Sequence, residues 1–185
     1  MWQPWSGPGL ESLRIVEDAD GVRADSVVIG LDDEARSFAV RYAIRCDAAW
    51  HVRDVEVAGL EGRATTLALA SDGMGRWTDG AGEHVPSLDG CLDVDLSATP
   101  FTNTLPIRRL SLAPGWATEI TVVYIAVPAL TVGVSRQRYR CLTWSAGGGA
   151  YRFETGAGDF TADITVDAEG LVLDYPQIAR RVWSA

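Results

Sequence analysis

Lysine is absent from this chain, and all 16 of its basic residues are arginine. That absence removes a Schiff-base nucleophile and the ammonium of a phosphate-binding P-loop. Histidine is nearly absent too. His51 and His84 are the only two, and neither has an Asp or Glu at ligand spacing, so no catalytic metal is expected. With no Gly-x-Ser-x-Gly elbow, a Ser-His-Asp hydrolase has no visible anchor either. Cys46, Cys91 and Cys141 are odd in number, widely spaced and free of any Cys-x-x-Cys pair. A zinc knuckle and a complete disulfide framework are thereby disfavoured, and the three read as reduced thiols. No cofactor is expected.

Positive charge is in deficit, with 16 basic against 25 acidic residues, a formal charge of -9 and a pI near 4.6. The arginines are scattered rather than gathered into a stripe, so nucleic acid is not an expected partner. No charge-free apolar run reaches membrane-spanning length, and the N-terminus lacks a basic region followed by an apolar core. The expected location is the cytoplasm.

What the chain does have is length for one domain, residues 1–185, and 47% hydrophobic residues. A chain of this size buries about 70% of its unfolded surface without a metal or disulfide staple. Period-two patterning organises it. In "SFAVRYAIRC", Phe38, Val40, Tyr42, Ile44 and Cys46 fall on one face and Ala39, Arg41, Ala43 and Arg45 on the other, the pattern of a half-buried strand. "CLDVDL" sets Leu92, Val94 and Leu96 against Asp93 and Asp95, and "FTADITVD" sets Phe160, Ala162, Ile164 and Val166 on one side. "EITVVYIAV", from Glu119 to Val127, is apolar on both faces. Such a strand belongs in the middle of a sheet covered on two sides, or in a sheet curled around its own core. "VSRQRYRCLTW" puts Arg136, Arg138, Arg140, Leu142 and Trp144 on one face and Gln137, Tyr139, Cys141 and Thr143 on the other.

Turns punctuate the strands. "IVEDADGVRAD" and "ITVDAEGLVLD" share one frame, in which an Asp side chain starts a hairpin turn and Gly21 or Gly170 ends it. Two similar hairpins explain the frame more simply than an internal repeat. "SAGGGAYRFET" is a further hairpin, since no helix follows its glycines. One short helix is expected at the C-terminus, in "PQIARRVW", with Pro176 at its first position and Ile178, Ala179, Val182 and Trp183 on one side. The fold class is mainly β, an antiparallel sheet that is rolled or closed.

Two constellations offer chemistry. Asp93 and Asp95 are same-face neighbours with Cα atoms roughly 6.6 Å apart, a spacing at which paired carboxylates can act as acid and base on a glycoside. Equally, they can pair with Arg108, Arg109 or the Arg136 to Arg140 row and tie a loop to the sheet. The second is "PFTNTLPIRRL", Pro100 to Leu110, in which Thr102, Asn103 and Thr104 stand between two prolines. The prolines favour a stiff extended connection, with Arg108 and Arg109 on opposite faces of a following strand. Its hydroxyls and amide can bond either their own backbone or a sugar.

With those residues in view, the sequence resembles the putative glycolipid-binding family of bacteria. The resemblance rests on "DGCLDVDLSATPFTNTLPIRRL", on "YIAVPALTV" and "QRYRCLTW", and on "FTADITVDAEGLVLDYP", and it extends over nearly the whole chain. It implies a curved antiparallel sheet forming an incomplete barrel, similar to carriers that hold lipid in a hydrophobic cavity. The implied function is non-catalytic binding of an amphiphile such as a glycolipid on a concave face lined by Tyr42, Tyr139 and Trp144. Asp95, Thr102, Asn103, Arg108, Arg109 and Gln137 would serve the head group. The alternatives are a glycan- or ester-acting hydrolase using Asp93 or Asp95, and a purely structural role in which an Arg-Asp network closes the roll. Open sheet edges also offer pairing between two copies as a homodimer.

Overall fold

The structure, a computed structural model, describes residues 1–61, 65–156 and 158–184. Its strands are β1 (Trp2–Pro4), β2 (Leu10–Asp18), β3 (Gly21–Leu31), β4 (Ser37–Cys46), β5 (Val52–Gly59), β6 (Thr66–Ser71) and β7 (Trp77–Asp79). They continue as β8 (Asp93–Leu96), β9 (Ala117–Ala126), β10 (Thr131–Ser145), β11 (Gly148–Thr155), β12 (Thr161–Val166), β13 (Val172–Tyr175) and β14 (Ala179–Arg181). All belong to one sheet, ordered β7-β6-β5-β4-β3-β2-β1-β14-β13-β12-β11-β10-β9-β8. Neighbours are antiparallel except β8 and β9, which run parallel. The sheet does not close, because β7 and β8 are its two ends and do not pair. It is an incomplete barrel.

The alternation written in the sequence is the alternation that buries. Val40, Tyr42, Ile44 and Cys46 of β4 are in the core, as are Ala162, Ile164 and Val166 of β12. Two apolar clusters line the roll, one centred on β3 to β6 and the other on β10 to β13. The strand pair β8–β9 serves both faces. Val94, Leu96, Val123 and Ile125 share one face and join the first cluster. Asp93 and Asp95 lie on the other face with Val122 and Tyr124, continuous through β10 with Gln137 and Tyr139. This double burial is why Glu119 to Val127 reads as apolar on both sides. The open seam between β7 and β8 is filled by the intervening chain, where Trp77 Nε1 donates to Cys91 O at 2.8 Å and Gly90 N to Gly75 O at 2.8 Å.

Five of the turns are one device. In the stretches beginning at Asp32, Asp47, Asp72, Asp79 and Asp167, the Asp Oδ1 accepts the backbone N–H groups two and four residues on. The fourth residue of each takes positive φ, from 59° at Ala35 to 96° at Gly75. The hairpin at Asp18 to Gly21 differs, since Asp18 pairs directly with Gly21 across a tighter turn. The frame it shares with Asp167 to Gly170 is therefore turn chemistry on two distinct loops.

Two local expectations need correction. The C-terminal segment is strand, not helix: Ala179–Arg181 pairs with both β1 and β13 and so completes the sheet where a helix would leave two edges unpaired. The helix lies instead at α1 (Thr104–Leu110), entered through a 3-10 turn at Phe101–Asn103. Pro106 falls in its first turn, where a missing N–H has no intrahelical acceptor to disappoint. Ser111 closes it in the left-handed region, its N–H bonded to Ile107 O at 3.2 Å.

Candidate functional site

Helix α1 decides where the two arginines go. Consecutive helical positions diverge by about 100°, so Arg108 and Arg109 leave in different directions rather than on opposite sides of a strand. Arg109 turns onto β8 and meets Asp93 in a fork, Nε to Oδ1 at 3.0 Å and Nη2 to Oδ2 at 2.6 Å. Asp93 is fully buried, and the Arg109 side chain is 11% exposed. Burial pushes the Asp93 carboxyl upward, while the guanidinium opposes that shift. Arg108 goes the other way and lies over the Trp50 ring, 4.5 Å from its centroid, donating to Glu169 O at 2.8 Å. Trp50 is the fourth residue of the Asp47 turn, with φ at 66°.

Asp95 anchors a second buried group. Its Oδ1 accepts Thr102 Oγ1 at 3.0 Å and its Oδ2 accepts Gln137 Nε2 at 2.6 Å. Tyr139 donates to Asn103 Oδ1 at 2.9 Å and reaches Gln137 Oε1 at 3.3 Å, and Asn103 Nδ2 donates to Pro100 O at 3.2 Å. Burial raises the carboxyl of Asp95 and lifts the Tyr139 phenol well above its ordinary value. The structure thus brings together Asp95, Thr102, Asn103, Gln137 and Tyr139, and separately Asp93 with Arg109. Trp144 stands apart. A bulge between Cys141 and Thr143 turns it opposite Gly149, and there it meets Tyr151 edge-on, with centroids 6.2 Å apart. The bulge moves it off the face that strict alternation gives it beside the arginines.

The cysteines are free and buried. Burial pushes the Cys46 thiol up to about 12 and the Cys91 thiol to about 11, values at which neither is a nucleophile. His84 sits against Asp89 at 2.9 Å and His51 against Asp47 at 3.3 Å. No group of three or more His, Cys, Asp or Glu among the described residues is placed to hold a metal.

A third buried group was not singled out by sequence reading. Glu11 of β2 is 3% exposed, and its Oε1 accepts Tyr42 Oη at 2.6 Å and Ser26 Oγ at 2.9 Å. Thr99 Oγ1 lies 2.8 Å from both carboxyl oxygens. Desolvation raises the Glu11 carboxyl, against the pull of these hydroxyls, and Tyr42 is raised well above its ordinary value. A signal was available. Glu11 stands in register with Leu13 and Ile15, which pack on the first cluster, so a carboxylate occupies an inward position of an alternating strand.

Glu11 borders an open cavity of about 880 Å³ at one mouth of the roll. Its walls come from β1, β2, the end of β3, the turn after β8, the end of β9 and the start of β14, with Trp2, Pro4, Leu10, Val28, Phe38 and Val127 among them. Neither Asp93 nor Asp95 lines it. Leu10, Ile29, Leu31 and Ile178 are lining residues that remain exposed. No helix among the described residues is long and apolar enough to cross a membrane.

Similarity to known proteins agrees with this architecture. A family described as putative glycolipid-binding matches residues 1–181. A crystal structure of a DUF1089 family protein from Pseudomonas aeruginosa is similar at a TM-score of 0.86 and 38% identity, over 97% of this chain and 95% of that one. No functionally curated protein matches. With 181 of its residues matched and an open rolled sheet to go with them, the chain belongs to the putative glycolipid-binding family.

Proposed function

We propose that the protein is a non-catalytic binder of an amphiphile, held in the mouth of the roll with its apolar part against the cavity wall and its polar end toward Glu11. The observation that carries this reading is the cavity itself. At about 880 Å³ it falls in the range of small-molecule sites, a few hundred to about 1,000 Å³, and it sets apolar side chains beside two buried polar ones, Glu11 and Thr99. The family description points the same way.

The residues that the sequence suggested for a head group take a supporting part in this reading. Asp95, Thr102, Asn103, Gln137 and Tyr139 already satisfy one another, and Thr102 accompanies Thr99 on the turn that carries the cavity floor. A hydrolase built on Asp93 and Asp95 is disfavoured because neither carboxyl borders the cavity and Asp93 is fully engaged by Arg109.

The test is native mass spectrometry of protein purified from its own host without detergent, with organic extraction of whatever is bound. A co-purifying amphiphile near one per chain is expected, and Ala126→Trp, placed on the cavity wall, should abolish it in a folded protein. A bare chain at every gentle setting, with no thermal shift on adding short-chain amphiphiles, would overturn the proposal.

A further inference from the structure

Strand β10 outruns its neighbour. It pairs with β9 from Thr131 to Arg140, but β11 reaches it only from Gln137 onward, where Thr155 is the last partner. Gly156 N still donates to Arg136 O at 2.7 Å, and the chain then turns away, with Thr155 N closing onto Phe160 O at 3.0 Å. Residues 131–135 therefore have a strand on one side only among the described residues. The direction of their backbone groups follows from the period of two. Arg136 turns its carbonyl to the β11 side, so Val134 and Val132 turn their N–H and C=O groups the same way, beyond the end of β11, while Thr131, Gly133 and Ser135 turn theirs to β9. Those N–H and C=O groups stand on an open edge, beside Val132 and Val134 side chains that are 38% and 47% exposed.

Such edges are normally guarded by charge, proline or a bulge. Residues 12–18 of β2, which run on past the single β1 contact at Glu11, are guarded in this way by Arg14, Glu17 and Asp18. Residues 131–135, Thr-Val-Gly-Val-Ser, hold no charge and no proline. They also read the same in both directions by residue class: hydroxyl, valine, glycine, valine, hydroxyl. Laid antiparallel to a second copy about a two-fold axis at Gly133, the segment sets Val132 against Val134 of that copy, each such pair exchanging both of its main-chain bonds. The same register sets Thr131 against Ser135, a hydroxyl pair on the opposite face, and Gly133 against its own copy. A Cβ built on Gly133 meets nothing within 4 Å, so that face of the edge is open to an approaching strand. In a chain of net charge -9, whose copies repel one another, this strip brings no charge to the joint.

We infer that two copies of the chain pair through residues 131–135 of β10, antiparallel and centred on Gly133, joining their sheets edge to edge. The joint is independent of what the cavity holds. At roughly 3.4 Å per residue it is about 17 Å long, a small interface whose dimer forms and dissociates with concentration. Val127, Pro128 and Ala129, in the turn that leads into β10, line the cavity, so the antiparallel joint sends the two cavity mouths to opposite ends of the dimer.

Sedimentation velocity on the full chain from about 5 to about 500 μM, the range in which so small an interface associates, should show a monomer converting to a dimer and nothing larger. Val132→Lys with Val134→Lys, both on exposed residues, sets like charges opposite each other across the axis and should leave a monomer at every concentration with Tm unchanged. Gly133→Cys should give a disulfide-linked dimer under mild oxidation, because a non-hydrogen-bonded pair brings its Cα atoms to about 4.5 Å, and Cys46, Cys91 and Cys141 are buried. Val132→Cys, which faces Val134 rather than its own copy, should link at least about tenfold more slowly, its Cα atoms lying beyond the roughly 7 Å that a disulfide spans. A monomer throughout, with no link from Gly133→Cys, would overturn the inference. A dimer that survives the paired lysines would overturn it by placing the interface elsewhere, and equal linking by the two cysteine variants would overturn the register. Assemblies larger than a dimer would overturn the two-fold joint.

Discussion

Replacing Arg109 by methionine isolates what the Asp93 fork contributes. Methionine keeps most of the side chain's apolar stem, so the change removes two hydrogen bonds at 3.0 and 2.6 Å and leaves a fully buried carboxyl without its guanidinium partner. Breaking a buried ion pair from one side costs about 3–5 kcal/mol, largely because the remaining charge is stranded. In a chain of this size each kcal/mol moves Tm by about 2–4 °C, so calorimetry should show a loss on the order of 10 °C. Urea unfolding should give the same free energy from a shifted midpoint at constant slope. The companion Asp93→Leu with Arg109→Met should recover much of the loss, because an apolar pair of similar volume strands nothing. If Arg109→Met lies within about 0.5 kcal/mol of wild type, the range of ordinary surface changes, then Asp93 is not stranded by the loss of its partner and the fork does not hold α1 to β8.

Acid response supplies another test. Burial raises the Glu11 carboxyl, so the native state keeps a proton that the unfolded chain has released; its favourable contribution is complete below the unfolded pKa of about 4.3 and is lost as pH rises through the native value. Wild type should therefore lose ground to Glu11→Gln in Tm as pH is raised from 4 to 8, and a gap that stays constant or widens in favour of wild type would refute the burial argument. Asp32 and Asp72 run oppositely. Backbone N–H groups of Arg36 and Arg76 hold their carboxyls low, so the stability they add is present above the unfolded pKa of about 3.9 and is lost as pH falls through the native value. Ala35→Gly should stabilise by about 0.5 kcal/mol, the left-handed strain at φ 59° exceeding the entropy that glycine returns to the unfolded chain. A lower urea midpoint would show that no such strain exists.

The sequence carried the strands because burial in a sheet is periodic and local. Val40, Tyr42 and Ile44 declare their face within one run, and the double apolarity of Glu119 to Val127 declares that something covers both sides. It did not declare what covers them. That depends on the β8 edge meeting β9 in parallel, with Val94 and Leu96 in the first apolar cluster and Asp93 and Asp95 on the opposite face, an arrangement made across long separations in the chain. The Asp-initiated turns were half legible: the acceptor residue is visible at each, but Ala35 and Trp50 stand where positive φ usually calls for glycine.

The segment from Pro100 to Leu110 shows how a local rule can be sound and still lose. A residue before proline is pushed toward extended geometry, yet Leu105 is helical because Phe101, Leu105 and Ile107 all find buried apolar partners only if the chain coils there. Burying three large side chains at about 2 kcal/mol each outweighs the steric bias of one peptide. The same coiling turns Arg109 onto Asp93 and brings Thr102 to Asp95, so the Arg-Asp pairing suggested by composition alone is realised through a helix that composition did not suggest. Glu11 is the converse case. Its neighbours in sequence mark it as facing inward, but the hydroxyls that make a buried carboxyl tolerable come from Ser26, Tyr42 and Thr99 on three other segments. A buried acid reads as an error in one strand's pattern until its partners are assembled, and in this chain they assemble at the edge of the large opening in the roll.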